Sequence, residues 1–250
     1  MRPVAGKTQA QIAAEWDRIA AKRASQIESG TDLSFNHVLL PTVLSLASAC
    51  DLNSVIDVGC GAGFLTHELA RRSAEVVGVD ISAKSVGYSA ERWGTTPNLR
   101  FSLTSIEEYA QRAERPGFGL AVCNMTLMTV LDLDDVVKSV ARLLKSGAHF
   151  VATITHPCFW PRYWGYANED WFDYSREIAI ESDFRISLES CEGLVTTHIH
   201  RPLERYFAVL ARAGFFIDEL QEPLPPPEIE RKYPAPWQFP RFIALRAVRK

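Results

Sequence analysis

Ser54-Val55-Ile56-Asp57-Val58-Gly59-Cys60-Gly61-Ala62-Gly63, continuing as Phe64-Leu65-Thr66-His67-Glu68-Leu69-Ala70, reads as a buried strand that stops in glycines and turns at once into an amphipathic helix. Glycine at 59, 61 and 63 permits a tight turn and lets a ligand approach main chain where a Cβ would obstruct it. Free N–H groups at the start of the helix suit an anionic ligand group. A second strand, Glu75-Val76-Val77-Gly78-Val79-Asp80, ends in an acid. From there a carboxylate can accept hydrogen bonds from both ribose hydroxyls of a nucleoside. The stretch therefore predicts a nucleoside site.

Outward from it, apolar runs alternate with amphipathic ones, the signature of a mainly parallel sheet covered on both faces. Strands are expected at 54–58, 75–80, 99–103, 118–123 and 148–155, with helices at about 63–72, 82–92, 105–113 and 132–145. Asp132, Asp134 and Asp135 follow the dipole of the last helix, and Gly147 suits its C-terminal cap. Residues 8–29 form an N-terminal helix with Ile12, Trp16, Ile19 and Ala20 near one face, and a second helix carries Pro41 in its first turn. Residues 156–174 are crowded with aromatics (Phe159, Trp160, Tyr163, Trp164, Tyr166, Trp171, Phe172, Tyr174) and too irregular for a sheet element, which predicts an inserted lid. An alternating strand at 194–201, a helix opening at Pro202, a strand at 215–221, a proline-rich loop and a last strand near 242–248 complete the chain.

The composition, 47% hydrophobic and 23% charged over 250 residues, suits one globular domain with a full core. A net charge of −3 leaves no basic footprint for nucleic acid. Cys50, Cys60, Cys123, Cys158 and Cys191 contain no C-x-x-C pair and read as reduced thiols. No apolar run long enough for a signal or a membrane span occurs, so a cytoplasmic location is expected.

The dinucleotide fingerprint is G-x-G-x-x-G, whereas this turn is G-x-G-x-G with Asp57 two residues before it. Val-Ile-Asp-Val-Gly-Cys-Gly-Ala-Gly, with Asp80 at the end of the next strand, resembles motif I of the class I S-adenosylmethionine-dependent methyltransferases. The resemblance implies an α/β Rossmann-like fold: a seven-stranded, mainly parallel sheet with an antiparallel C-terminal edge hairpin. It would form a single domain over 1–250, divided into a helical cap (1–50), a cofactor-binding core (51–155), a lid and substrate insertion (156–201) and a C-terminal helix and hairpin (202–250). It further implies S-adenosylmethionine as cofactor and S-adenosylhomocysteine as product.

On that resemblance the cofactor residues are Asp57, Gly59, Cys60, Gly61, Gly63, Asp80, Ile81, Thr104, Ser105, Ile106, Cys123, Asn124 and Met125. The acid that often meets the adenine amine after the third strand is missing from Leu103-Thr104-Ser105-Ile106, so Thr104, Ser105 or main chain stands in for it. Asn124-Met125-Thr126-Leu127 lacks the prolines of base-modifying enzymes, which leaves a small-molecule acceptor. His156, after the fifth strand, is the first choice for a base or substrate ligand, with His200 of the His200-Arg201-Pro202 segment second. Trp16, His37, Met128, Trp160, Tyr163, Trp164, Tyr166, Trp171 and His198 are the expected substrate residues. Two histidines on one strand do not make a metal site, and none is expected. Methyl transfer to an O or N of a small aromatic or heteroaromatic molecule of secondary metabolism, by a monomer or homodimer, is the resulting expectation. Carbon methylation or cyclisation, a nicotinamide-dependent oxidoreductase and a non-catalytic cofactor-binding protein remain alternatives.

Overall fold

A computed structural model describes all residues, 1–250. The strands are β1 (Arg2–Val4), β2 (Val55–Val58), β3 (Val76–Asp80), β4 (Leu99–Leu103), β5 (Phe118–Asn124), β6 (Leu144–Thr155), β7 (Ile178–Ile186), β8 (Glu189–His200), β9 (Phe215–Gln221) and β10 (Phe242–Arg249). The helices are α1 (Gln9–Glu28), α2 (Leu40–Ala47), α3 (Phe64–Ala70), α4 (Ala83–Trp93), α5 (Ile106–Arg112), α6 (Leu133–Leu143), α7 (Trp160–Trp164), α8 (Leu203–Arg212) and α9 (Pro227–Glu230).

Seven strands form the main sheet in the order β4-β3-β2-β5-β6-β10-β9. β4, β3, β2, β5 and β6 run parallel, and β10 is antiparallel to both of its neighbours. This is the expected parallel core with an antiparallel hairpin at one edge, not the unbroken six-stranded parallel sheet that an oxidoreductase reading requires. Order reverses between β2 and β5, so the crevice beyond their carboxyl ends is the natural ligand site. Apolar clusters fill both faces, one under α6 and α8 and one under α2 and α3. β2 is buried along its whole length, which is why Val55-Ile56-Asp57-Val58 reads as a continuous run and not an alternation.

Several expectations needed correction. α6 stops at Leu143 and β6 begins at Leu144, so Gly147 does not cap the helix. It sits at φ +77° where the register of β5 against β6 shifts, an irregularity that glycine accommodates. The lid is more regular than its composition suggests: after the short helix α7, β7 and β8 form a long hairpin, and β1 joins β7 in a second sheet of three antiparallel strands. The proline-rich loop packs Ile229, Tyr233 and Trp237 against Leu33, Val38 and Leu39.

α1 lies across the mouth of the crevice. Thr8 and Gln11 close its N-terminus as a capping box. Asp17 then ties it to α4, accepting from Ser82 Oγ at 2.7 Å and Lys84 N at 2.9 Å. No helix is long and apolar enough to cross a membrane.

Candidate active site

Two adjoining cavities, of about 190 and 180 Å³, open at the carboxyl ends of the parallel strands. The first is floored by the glycine turn. The N–H groups of Gly59 and Cys60 donate to Val79 O at 2.8 and 3.1 Å, pinning the turn to β3. Gly59, Gly61 and Gly63 all hold positive φ, as an L side chain would not do without strain.

The three glycines have different reasons. A Cβ at Gly59 would collide with the Thr126 side chain, and one at Gly63 would meet Phe101, Trp93 and Ser89 at 2.8–2.9 Å. A Cβ at Gly61 would meet nothing, because its face is open to the cavity. Beyond its positive φ, Gly61 is therefore the one of the three where open cavity, and not a packed neighbour, lies where the side chain would be.

Asp80 lies at the edge of this turn, its two oxygens accepting from Gly61 N and Ser82 N, each at 2.8 Å. Burial raises its carboxyl above the usual range against the pull of those N–H groups. Asp57, in β2, is wholly buried and accepts from Thr66 Oγ1 at 2.7 Å. Burial pushes it up to about 7.

Ile81, Thr104, Ser105 and Ile106 line the far side of the cavity, with Glu107 beside them. Glu107 is an acid that the sequence reading missed, because it was sought at the strand end and not within the first turn of α5. From above, α1 contributes Ile12, Trp16, Ala20 and Arg23, a stripe at helical spacing.

Trp16, Arg23, Met125 and Thr129 line both cavities and so form the junction between them. Met125 is the one non-glycine residue with positive φ, at 57°. Its N–H donates to Thr153 O and Oγ1 at 3.1 and 3.0 Å, and Thr153 Oγ1 in turn donates to Asn124 Oδ1 at 2.7 Å. Backbone strain held this firmly at a strand end is typical of functional positions.

The second cavity is walled by Trp160, Tyr163, Trp164, Phe184 and Phe242 and by Met128. The lid hairpin brings His198 to its wall, where Nε2 meets the Tyr166 hydroxyl at 3.2 Å. Burial pushes His198 down to about 3, so its ring is neutral.

Of the expected residues, Asp57, Gly59, Cys60, Gly61, Asp80, Ile81, Thr104, Ser105, Ile106, Asn124 and Met125 gather at the first cavity, and Met128, Trp160, Tyr163, Trp164 and His198 at the second, with Trp16 at both. The others lie elsewhere. Gly63 faces α4, and Cys123 is fully buried within β5. His37 follows Phe35, which reaches the first cavity while His37 reaches neither. Tyr166 is buried behind His198, with Trp171 stacked on it at 5.8 Å.

Both favoured histidines are also displaced from the cavities. His156 Nδ1 accepts from Cys158 N at 3.2 Å and Nε2 faces Glu222 at 2.7 Å, so neither nitrogen is free and the ring braces the turn after β6. His200 donates from Nε2 to Tyr174 O at 3.0 Å and packs against Phe172. Its partner Arg201, wholly buried, pairs with Glu177. No cluster of three or more His, Cys, Asp or Glu side chains is placed to hold a metal ion.

A family model described as a methyltransferase domain matches residues 51–192. A ubiquinone biosynthesis O-methyltransferase from Acinetobacter baumannii is 31% identical over 149 residues, which cover 58% of this chain and 62% of that protein. The chain spans 37 to 62% of the length of such curated relatives. A proposed S-adenosylmethionine dependent methyltransferase from Listeria monocytogenes shares 25% identity and a TM-score of 0.61, over 80% of this chain and 92% of that one. The 1,6-didemethyltoxoflavin-N1-methyltransferase of Burkholderia thailandensis, solved with bound 1,6-didemethyltoxoflavin and S-adenosylhomocysteine, has the same fold at 15% identity and a TM-score of 0.59, over 99% of this chain and 94% of that one. Matched over more than half its length by the family model, and carrying the glycine turn and the strand-end acid in place, the chain belongs to the methyltransferase domain family and shares the fold of solved S-adenosylmethionine-dependent methyltransferases.

Proposed function

We propose that the chain methylates an oxygen or nitrogen of a small aromatic or heteroaromatic molecule held in the second cavity. The observation that carries this reading is the junction at Trp16, Arg23, Met125 and Thr129, through which an aromatic-walled cavity meets the glycine-turn cavity. The names of two similar proteins, an O-methyltransferase and an N1-methyltransferase, support small-molecule chemistry.

The first cavity fits the cofactor on its own chemistry. Gly61 offers a bare main-chain face where a Cβ would occupy open space, and Asp80 is an oriented carboxylate with lone pairs left for ribose hydroxyls. Ile81 and Ile106 would flank the adenine, and Glu107 is the acid available to its amino group. S-adenosylmethionine, when bound, supplies an electrophilic methyl group on a sulfonium, open to in-line displacement.

The rest falls to the chain's own residues. Trp16 and Met125 shape the passage and align the nucleophile, which is where most of the acceleration of such a displacement arises. His198 is too weak a base, at about 3, to hold a proton near neutral pH. It serves as a neutral hydrogen-bonding partner that orients the hydroxyl or amine, and the nucleophile's proton leaves for solvent.

The test is transfer of labelled methyl from S-adenosylmethionine to a panel of phenols, aminoarenes and hydroxylated heteroaromatics. Label is expected on oxygen or nitrogen, and it should disappear with Gly61→Ala. Label on carbon, or tight cofactor binding with no acceptor in the panel, would overturn the assignment.

A further inference from the structure

Four charged side chains line the second cavity: Arg23, Asp32, Arg185 and Arg241. Arg23 is paired with Asp32, whose other oxygen accepts from Phe35 N at 2.9 Å. Arg185 and Arg241 make no ion pair, whereas Arg2, Arg201 and Arg205 nearby are each paired with a carboxylate. The cavity thus carries two guanidinium groups with no carboxylate in ion-pair contact.

These guanidinium groups are not free to swing away. Arg241 is 5% exposed, and its guanidinium lies 3.8 Å from the centroid of Tyr163, 4.2 Å from Trp237 and 5.2 Å from Tyr233. Arg185, the more exposed of the two, lies 3.8 Å from the centroid of Trp164 and donates from Nη2 to Trp164 O at 3.0 Å. Ring contacts of this kind compensate part of the desolvation of a cation, but they satisfy none of its N–H donors. A guanidinium held against aromatic faces presents its remaining N–H groups edge-on, the arrangement that meets a planar oxyanion with two parallel hydrogen bonds. Burial draws Arg241 below its ordinary pKa against the opposing pull of Tyr163, Tyr233 and Glu230. Glu230 accepts from Trp237 N at 2.9 Å and makes no ion pair with Arg241.

We propose that the acceptor carries an anionic oxygen group, a carboxylate or equivalent oxyanion, and that Arg241 with Arg185 binds it. The proposal rests on the reading of the second cavity as the acceptor site. Arg241 immediately precedes Phe242, which pairs with Thr155, whereas Met125 follows Asn124, which pairs with Thr153. The main chains that carry Arg241 and Met125 are therefore two strands apart, about 10 Å. The anion then serves as a handle at the far end of the acceptor, with the methylated atom at the junction.

The experiment uses the full chain with S-adenosylhomocysteine present and compares benzoate with benzamide, a neutral probe of the same shape, by calorimetric titration. Benzoate is expected to bind at least tenfold tighter than benzamide. That preference should vanish in Arg241→Gln, fall in Arg185→Gln and survive in part in Arg241→Lys. Arg185, being exposed, provides a variant that folds even where Arg241→Gln does not. Equal binding of the two probes, no saturable benzoate binding, or an unchanged preference in the Arg185→Gln and Arg241→Gln proteins would overturn the proposal. Each of those results counts against the anion site alone when S-adenosylhomocysteine still binds. Failure of S-adenosylhomocysteine to bind the unaltered chain would instead strike the reading beneath it.

Discussion

The glycine turn makes a prediction in which stability and ligand binding separate. Gly61→Ala places a methyl group in open space but forces alanine to φ +53°, a cost of about 1–2 kcal/mol. For a chain of this size that lowers the melting temperature by roughly 2–8 °C. Gly59→Ala carries the same backbone cost at φ +72°, and in addition drives Cβ to 2.5 Å from Thr126 Cγ2 and closer still to its hydroxyl. Overpacking adds about 1–3 kcal/mol, for a total drop of roughly 4–20 °C. Scanning calorimetry with and without S-adenosylhomocysteine separates the two. At a hundredfold excess over its dissociation constant the ligand adds about 2.7 kcal/mol, a rise of roughly 5–11 °C. Wild type should show that rise. Gly61→Ala should melt only slightly lower and show none of it, since its methyl group occupies the ligand's approach. Gly59→Ala should melt much lower and recover in part on adding Thr126→Ala, which removes Oγ1 and Cγ2 but leaves Cβ at 2.9 Å. A full ligand-induced rise in Gly61→Ala, or equal melting temperatures for the two single variants, would refute the division of roles.

Three further predictions follow from buried groups. Asp57 ionises near 7 in the fold and near 3.8 when unexposed to it, so the unfolded chain loses its proton first as pH rises. Stability therefore falls from about pH 4 to pH 7, by on the order of 4 kcal/mol, and stays lowered above. Urea unfolding of Asp57→Asn should show a flatter profile over that range and a higher midpoint at pH 8 than wild type. Glu15, 2% exposed in α1, accepts from Thr197 N at 2.9 Å and Oγ1 at 3.1 Å and pairs with Lys7. Glu15→Ala leaves the buried Thr197 N–H and hydroxyl without their acceptor, while Lys7 keeps its pairing with Glu181, and should cost about 1–3 kcal/mol in urea unfolding; a loss below about 0.5 kcal/mol would show that the contact carries little. His156→Gln should lower stability while leaving kcat/KM within about twofold, whereas His198→Ala should raise KM severalfold; the opposite pattern in steady-state kinetics would restore His156 to the site.

The cofactor half of the site was legible because it is local. A strand, three glycines, a helix and the next strand end lie between Ser54 and Asp80, and main-chain conformation there allows few side chains. The proposed acceptor half was legible only as composition. The aromatic run 156–174 announced a pocket wall, yet Trp171 and Tyr166 turned out to pack behind it and Phe184, Arg185 and Arg241 to line it. Which face of an irregular segment turns inward depends on a hairpin whose partner strand, Arg2–Val4, lies at the other end of the chain. Histidines at strand ends were overvalued for the same reason. His156 is near the cavities in topology, but Cys158 N and Glu222 take both of its nitrogens.

The two halves are joined by hydrogen bonds that neither half contains alone. Arg201, at the end of the lid strand, donates to Leu127 O at 3.0 Å, Val130 O at 2.7 Å and Leu131 O at 3.1 Å. Ile199 N donates to Met128 O at 2.6 Å. The segment after β5, which carries the strained Met125 together with Met128 and Thr129, is thus clamped by the lid as well as by Thr153. A strained main chain persists only where its surroundings over-determine it, and here the lid holds the carbonyls of residues 127–131 while Thr153 holds Met125 itself. The lid is therefore hydrogen-bonded to the segment that lines both cavities and not to the glycine turn. On the proposed assignment of the second cavity to the acceptor, that separation puts the determinants of acceptor choice in the hairpin and β10, away from motif I.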